Sequence, residues 1–397
     1  MAPQSSLSII SKTTVYPDKK STLGSLRLSV SDLPMLSCHY IQKGVLLPSP
    51  PFSPSALAAR LRSALSAALS HFPPLAGRLF TDPDDASVHI LCNDAGAEFL
   101  HADASHLRSA DLLGPPCSDV PPAVRLLFPL DGAVSYSGHR SPLLSVQLTH
   151  LADGAVFISC AANHAVTDGT SFWNFFNAFA HLSASGPSSG LLLSLSPDFS
   201  RGPPLLSPAV LRFPAGGPAV SFSPDAPLRE RIFSFTRKSI LKLKLTVNAS
   251  VNFAELMGKQ RNDTPDRKPT LTESVREISS FQSLCGLVWR GITRARKLDP
   301  AQKTTFRMAV NCRGRVEPRL NPLYFGNAIQ SIATEAAAGD VVGLGPGPRW
   351  CAERLGMGGG SVDLEVVLAP ETMAGLESDP EFMEYVSGWL FGFSGRR

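Results

Sequence analysis

The stretch Leu143–Leu182, LLSVQLTHLADGAVFISCAANHAVTDGTSFWNFFNAFAHL, predicts most of the local fold. Two apolar runs, Leu143–Leu151 and Ala155–Ala162, are joined by the tripeptide Ala-Asp-Gly, and Asp-Gly between strand-like runs is typical of a β-hairpin. Beyond Asp168 the apolar residues recur at helical spacing, so this aspartate is placed to cap a buried helix at its N-terminus. The pattern predicts a hairpin, a tight turn and a helix, with His164 at the end of the second strand.

His164 is the candidate catalytic residue of this stretch. An imidazole held at the rigid edge of a strand can take a proton from a hydroxyl or an amine near neutral pH, which is the work of a general base. The alternative is a histidine that only completes the core or the surface, the commoner role of a lone histidine. Cys160, four residues earlier on the same face, leaves open a Cys–His nucleophile pair, although a thiol in a buried strand is usually a small apolar residue.

The composition of the 397-residue chain is that of a globular protein with room for two domains. Hydrophobic residues make up 43% and charged residues 18%, and the net charge of +4 comes from scattered basic residues. Because there is no nucleic-acid-binding motif and no apolar window of ~20 residues, we expect neither a nucleic-acid partner nor a membrane partner.

Cysteine usage and known motifs narrow the class of protein further. The seven cysteines are widely spaced without a Cys-x-x-Cys pair, and residues 1–17 lack the apolar core of a signal peptide, so we expect a cytoplasmic protein with reduced thiols. No nucleophile elbow, phosphate-binding loop or metal-ligand spacing is present. We therefore expect no metal and no permanently bound cofactor.

Two further helices are predicted from leucine spacing and capping residues. A leucine recurs every four residues from Leu57 to Leu69 after the cap-like pair Ser53-Pro54, and Ser279–Lys297 has one apolar side. Basic residues at helical spacing on the second helix favour a solvated face, with an anion-binding role as the alternative. These are Arg290, Arg294 and Lys297. A strand is predicted in the second half of Asp32–Gly44, and Leu75–Leu79 leads into another. The other predicted strands are Ile9–Val15, Val88–Cys92, Ala123–Phe128, Arg231–Thr236, Thr304–Cys312, Ile329–Thr334 and Val362–Leu368.

Several motifs occur in an order that resembles one family. They are LPMLSCHYIQKG (Leu33–Gly44), HFPPLAGRL (His71–Leu79), HAVTDG (His164–Gly169), SSFQSLCGLVWRGITRAR (Ser279–Arg296), NCRGR (Asn311–Arg315) and YFGNA (Tyr324–Ala328). His164-x-x-x-Asp168-Gly169 is similar to the HxxxD motif of the plant BAHD acyltransferases, which use acyl-CoA donors. The resemblance covers most of the chain from Ser5 to Asp340.

The resemblance implies an α/β fold of the two-domain CoA-dependent acyltransferase type, with mixed sheets flanked by helices and a channel between the domains. The N-terminal domain would span residues 1–182, a crossover linker 183–227 and the C-terminal domain 228–397. The implied reaction transfers an acyl group from acyl-CoA, a co-substrate, to a hydroxyl or amine of a plant metabolite. The implied protein is a monomer.

The resemblance also assigns roles to individual residues. His164 would be the general base, and Asp168 a structural residue that pairs with Arg313. Gly169 would permit the tight turn into the helix. The residues expected near CoA are Ser239, Ser280, Tyr324, Phe325, Gly326 and Asn327.

One region departs from the family pattern. The DFGWG motif of the family is absent, and Gly343–Gly360 resembles low-complexity filler without periodicity. We expect the C-terminal domain to be incomplete between about residues 343 and 360. This departure leaves open a catalytically impaired or mis-spliced relative, and also a different reaction on the same scaffold.

Overall fold

The computed structural model describes residues 7–113, 118–185, 196–202, 205, 226–258, 277–343, 347–353 and 362–387. It divides into two compact units. The first contains Met1–Leu113, Pro121–Ser223 and Ala309–Ser331, and the second contains Gly114–Val120, Pro224–Met308 and Ile332–Arg397. Most of the predicted crossover 183–227 lies outside the described residues.

The first unit contains eight strands and four α-helices among the described residues. The strands are β1 (Ser8–Val15), β2 (Ser25–Arg27), β3 (Ile41–Leu47), β4 (Arg78–Thr81), β5 (Val88–Leu91), β6 (Ala97–Ala104), β7 (Leu144–Leu151) and β8 (Val156–Ala162). The helices are α1 (Pro54–His71), α2 (Ser109–Leu113), α3 (Ala123–Leu126) and α4 (Gly169–Ser185).

A five-stranded sheet forms the centre of this unit, in the order β1-β6-β7-β8-β3. The β6–β7 pair is parallel and the other pairs are antiparallel. The predicted hairpin is β7–β8, with Leu144 opposite Ala162 and His150 opposite Val156. Its strands are buried almost throughout, so β8 delivers His164 from a rigid element.

Helices α1 and α4 share the apolar core of this unit. Ser53 caps α1 by accepting from the backbone N–H of Ala56, as the sequence predicts, and Leu65 in α1 is fully buried. Phe72, after α1, meets Phe175 of α4 edge to face, with ring centroids 5.5 Å apart. Strands β2, β5 and β4 form a separate three-stranded sheet.

Two predictions in this unit are wrong or incomplete. Ala123–Phe128 is not a strand. The segment begins with the short helix α3, which follows Pro121-Pro122, and it pairs with no strand among the described residues. Proline pre-sets the φ angle of a first helical turn, which outweighs the apolar character of the segment. Strand β6 was not predicted, because its sequence AEFLHADA has little β-propensity of its own.

The second unit contains the remaining elements. They are β9 (Arg229–Phe235), α5 (Arg237–Gly258), α6 (Ser280–Ala295), β10 (Lys303–Asn311), β11 (Ile329–Ala337), α7 (Ala338–Val342), α8 (Gly347–Glu353), β12 (Val362–Leu368), α9 (Pro370–Glu377) and α10 (Pro380–Met383). The ends Ala309–Asn311 of β10 and Ile329–Ser331 of β11 belong to the first unit. β9 pairs with β12, and β10 pairs with β11. The core of the second unit lies around α6, which begins with a capping box of Ser279 and Gln282.

The basic residues of α6 correct the solvated-face prediction. Arg290 is buried and donates to the backbone oxygen of Val341 at 2.6 Å, and Arg294 binds Asp379 through two hydrogen bonds. Only Lys297 is exposed. Two of the three cations therefore bind groups of the protein itself.

Part of the predicted filler is structured. Residues Gly347–Glu353 form α8, which packs against α6 and buries Cys351 and Ala352. Gly286 permits this close approach, because a Cβ there would lie 2.8 Å from the backbone oxygen of Pro348. The filler interpretation is wrong for these residues, since a helix of seven residues is too short to show a periodic pattern in the sequence. No described helix is long and apolar enough to cross a membrane.

Candidate functional site

The turn after β8 is held by side chains on both sides of His164. Asn163 donates through Nδ2 to the backbone oxygen of Ser135 at 2.7 Å and accepts through Oδ1 from the N–H of Ala165 at 3.0 Å. The N–H of His164 donates to Ser135 Oγ at 3.0 Å, and its carbonyl accepts from Asn327 Nδ2 at 2.7 Å. The backbone of His164 is thus bound at its amide and its carbonyl.

The imidazole of His164 contrasts with its backbone. The residue is half-buried, and Nδ1 is buried without a hydrogen-bond partner among the described residues. No carboxylate of the described residues orients the ring through this nitrogen, unlike the arrangement in a Ser-His-Asp triad. The position of the ring therefore depends on how firmly the backbone is held.

Asp168 is the fully buried N-cap of α4. Its Oδ1 accepts from the N–H of Ser171 at 2.9 Å, which is the predicted capping bond, and its Oδ2 accepts from the N–H of Ala328 at 3.1 Å. Arg313 adds two parallel bonds, from NH1 to Oδ2 at 2.7 Å and from NH2 to Oδ1 at 3.0 Å. Asp168 faces Arg313 rather than the imidazole, so its place in the structure is to hold the turn.

Arg313 is buried and donates to several groups besides Asp168. Its Nε and NH2 reach the backbone oxygen of Tyr324 at 3.2 and 3.0 Å, and NH2 also donates to Gly326 O at 3.1 Å and Ser171 Oγ at 3.0 Å. A buried ion pair is tolerated when its remaining hydrogen-bonding capacity is satisfied, as it is here. Arg313 joins the turn after His164 to the loop 324–327.

Loop 324–327 is packed into the first unit. Tyr324, Phe325 and Asn327 are buried, and burial raises the pKa of the Tyr324 hydroxyl. Gly326 has φ +149°, and a Cβ on it would lie 2.8 Å from Tyr324 Oη. The described side chains of this loop stabilise the turn that carries His164, and its approach to CoA stays a prediction.

The two serines expected near CoA lie in the second unit. Ser239 Oγ is 2.9 Å from Ser387 Oγ and 3.0 Å from Thr236 Oγ1, at the start of α5. Ser280 is the first residue of α6, half-buried beside the N-cap Ser279. Their role in CoA binding stays a prediction.

Other candidates have weaker geometry. Cys160 is fully buried, and burial raises the pKa of its thiol, which opposes the thiolate that a nucleophile needs. Gly169 is not needed for the turn, since its φ is not positive and an added Cβ would meet nothing within 4 Å. Among the described residues no group of three or more His, Cys, Asp or Glu could hold a metal ion.

Sequence reasoning missed three polar residues of this site. Ser135 binds the backbone of His164, Ser171 bridges Arg313 to Gly326, and Asp32 accepts from Asn327. Asp32 is 295 positions from Asn327 along the chain, so no local spacing reveals the contact. The only sequence signal was that Asp32 directly precedes the LPMLSCHYIQKG motif.

Comparisons with known proteins identify the family. The chain matches the Transferase family over residues 5–345. It is 32% identical over 350 residues to an uncharacterized acetyltransferase of Arabidopsis thaliana, with 86% of this chain and 73% of the relative covered. Its fold is similar to that of vinorine synthase, at TM-score 0.64 and 20% identity, covering 88% of this chain and 76% of the other.

A second solved structure has a similar fold. TRI101 of F. sporotrichioides, solved in complex with coenzyme A and T-2, gives TM-score 0.64 at 15% identity and covers 92% of this chain and 99% of the other. At these identities the two structures support the fold, and the sequence matches support the family. The chain belongs to the Transferase family, that of the BAHD acyl-CoA-dependent O- and N-acyltransferases.

Proposed function

We propose that His164 is the general base in the transfer of an acyl group from acyl-CoA to a hydroxyl or amine of a small-molecule plant metabolite. The imidazole takes the proton of the acceptor, whose oxygen or nitrogen forms a bond to the acyl carbon. The carbon–sulfur bond of the thioester breaks, and the proton passes from the imidazole to the departing CoA thiolate. No covalent enzyme intermediate is needed.

The observation that carries this proposal is the contrast within His164. Its amide and carbonyl are both bound, while the buried ring nitrogen Nδ1 makes no hydrogen bond to a described residue. A histidine that served only the core would use its ring nitrogens for partners inside the protein, as most buried polar groups do. A half-buried ring that is held in place through its backbone, with no partner at Nδ1 among the described residues, is suited to bind a substrate proton.

The identity of the co-substrate has separate support. Acyl-CoA is the donor used in the family, and TRI101, whose fold is similar, was solved with coenzyme A. Ser239, Ser280 and the loop 324–327 remain the proposed contacts to CoA. We also propose that the enzyme is cytoplasmic and monomeric.

Thiol release from a panel of acyl-CoA donors and hydroxyl or amine acceptors tests the proposal. With the best pair, His164→Ala should lower the rate per folded protein by about 10²–10⁴-fold, the usual contribution of a positioned proton transfer. The exposed His106→Ala is the matched control and should keep the wild-type rate. A wild-type rate in the His164 variant would remove His164 from the mechanism.

A second candidate is a catalytically impaired or mis-spliced relative. One observation favours it, the absence of the DFGWG motif from the sequence. The predicted incomplete region, about residues 343 to 360, includes α8 and otherwise lies mostly outside the described residues. Wild-type thiol release no faster than in an enzyme-free blank would favour this candidate, and the transcript across codons 339 to 361 would show whether a coding segment is missing.

A further inference from the structure

We propose that Asp32 and Asn327 are positioning residues for His164. The buried carboxylate of Asp32 orients the side-chain amide of Asn327, and this amide holds the main-chain carbonyl of His164. The inference rests on the proposed role of His164 as general base. It adds two residues that act on the reaction through the backbone of the base.

Asp32 is a fully buried carboxylate with donors at both oxygens. Its Oδ1 accepts from the backbone N–H of Asn327 at 2.8 Å and from Asn327 Nδ2 at 2.9 Å. Its Oδ2 accepts from the N–H of Ser29 at 2.8 Å and lies 3.9 Å from NH2 of Arg201. Burying a carboxylate is costly, so this one is kept only because its donors compensate for the lost water.

The orientation of the Asn327 amide follows from its neighbours. The two groups that it faces, a carboxylate oxygen of Asp32 and the carbonyl oxygen of His164, are both acceptors. Only the NH2 end of the amide can bind both, because the oxygen end would be repelled by each. Both hydrogens of Nδ2 are used, and Oδ1 is buried without a partner among the described residues. The Asn327 amide thus donates to Asp32 Oδ1 and to the carbonyl oxygen of His164, while its own oxygen has no partner among the described residues.

The consequence concerns the imidazole of His164. Because Nδ1 has no partner inside the described structure, the ring is oriented through the backbone that carries it. Asn327 binds the carbonyl of that residue and Ser135 binds its amide. A base that is misplaced by about 1 Å loses about 10²-fold in rate. Asp32 and Asn327 are themselves fully buried, so the effect of their side chains reaches the reaction through the backbone of His164.

The test compares kcat, KM and the folded fraction of variants in the thiol-release assay. Asn327→Ala and Asp32→Ala should each lower kcat per folded protein by about 10–100-fold, with KM for acyl-CoA changed less than about threefold. The double variant should be no slower than about the worse single variant, because both changes remove the same connection. Asp32→Asn should retain more activity than Asp32→Ala, since an amide oxygen can still accept from Asn327.

Two reference variants separate the possible failures. Glu98→Ala removes another buried carboxylate of the first unit, which accepts from Ser145 in the central sheet, and should leave kcat per folded protein unchanged. His164→Ala at the wild-type rate would overturn the proposed function. An inactive His164→Ala together with wild-type kcat per folded protein for Asp32→Ala and Asn327→Ala would overturn the positioning role alone.

The folded fraction and the double variant also test the positioning role of Asp32 and Asn327. A lower folded fraction without a lower kcat would mean that the two residues only stabilise the fold. Additive losses of kcat in the double variant would mean that they act independently, which would overturn the connection from Asp32 through Asn327 to His164. Should the alanine variants fail to fold, Asp32→Asn and Asn327→Ser replace them. Wild-type kcat in both of these milder variants would overturn the proposal, and a reduced kcat at unchanged KM would support it.

Discussion

Two aspartates, one in each compact unit, cap a helix and accept two hydrogen bonds from one arginine, from both terminal nitrogens of Arg313 at Asp168 and from Nε and one terminal nitrogen of Arg294 at Asp379. Asp168 caps α4 and binds Arg313 at 2.7 and 3.0 Å, and Asp379 caps α10 and binds Arg294 at 2.8 and 2.5 Å. The Arg313 side chain is 5% exposed and the Arg294 side chain 26%. The local chemistry is the same, but only the turn before Asp168 carries a candidate base. Such a pair stabilises a turn wherever it occurs. We expect function to depend on the pair only where the turn also carries a catalytic side chain, the role proposed for His164 in the turn before Asp168.

The largest expected effect is at the more buried pair. Asp168→Ala leaves the guanidinium of Arg313 buried without its carboxylate, which should lower the free energy of unfolding by about 3–5 kcal/mol. Thiol release per folded protein should fall as well, because the turn that carries His164 loses its anchor. Urea denaturation and the thiol-release assay measure the two effects. If Asp168→Ala keeps full activity per folded protein, the turn does not depend on this pair.

The loop 324–327 accepts hydrogen bonds from Arg313 and supports the same turn as Asp168. Gly326→Ala places a Cβ against Tyr324 Oη at a φ of +149°, so it should cost about 1–3 kcal/mol of stability and reduce activity. Gly169→Ala is the matched control, since its Cβ would meet nothing within 4 Å. Thermal unfolding of both variants measures the difference. Equal melting temperatures would show that the loop adjusts without strain.

The second pair should affect stability alone. Asp379→Ala removes the N-cap of α10 and one partner of Arg294, and the expected loss is about 1–2 kcal/mol because the arginine is partly solvated. Thiol release per folded protein should stay at the wild-type level. Activity that falls as far as in Asp168→Ala would remove the functional distinction between the two pairs.

The smallest expected effect is a pH dependence of the free energy of unfolding, which comes from the pair of Asp379 and Arg294. Burial alone would raise the pKa of Asp379, but hydrogen bonds from Arg294 and from the N–H of Phe382 lower it below its ordinary 3.8. A lowered folded pKa means that the stabilisation is complete above pH 3.8 and is lost as the pH falls through the folded pKa. The stability difference between wild type and Asp379→Asn should therefore narrow in acid. A difference that is constant with pH would contradict this assignment.

The elements that the sequence predicted best are those with strong local periodicity. The β7–β8 hairpin, α1, α4 and α6 are present where leucine spacing, Asp-Gly and capping residues predicted them. Local pattern failed at Ala123–Phe128, where two prolines start a helix, and at α8, whose burial against α6 depends on Gly286 in a distant segment. Tertiary packing decided these two cases, and a single sequence does not show it.

The residues of the candidate site also differ in how far the sequence predicted them. The pairing of Asp168 with Arg313 was expected only through resemblance to the family. The pairing of Arg294 with Asp379 was not predicted, because helical spacing shows which residues share a helix face but not which residues that face contacts. Asp32, Ser135 and Ser171 are single polar residues without a motif of their own. Their contacts join positions up to 295 residues apart, and only the folded chain brings them together.

The pH dependence of kcat/KM for wild type and His164→Ala tests the role of His164 most directly. For wild type we expect kcat/KM to decline towards acid pH, because a general base that already carries a proton cannot accept the substrate proton. In His164→Ala this decline should be absent and the remaining rate should be about 10²–10⁴-fold lower. The same acid decline and a similar rate in the variant would contradict His164 as the general base.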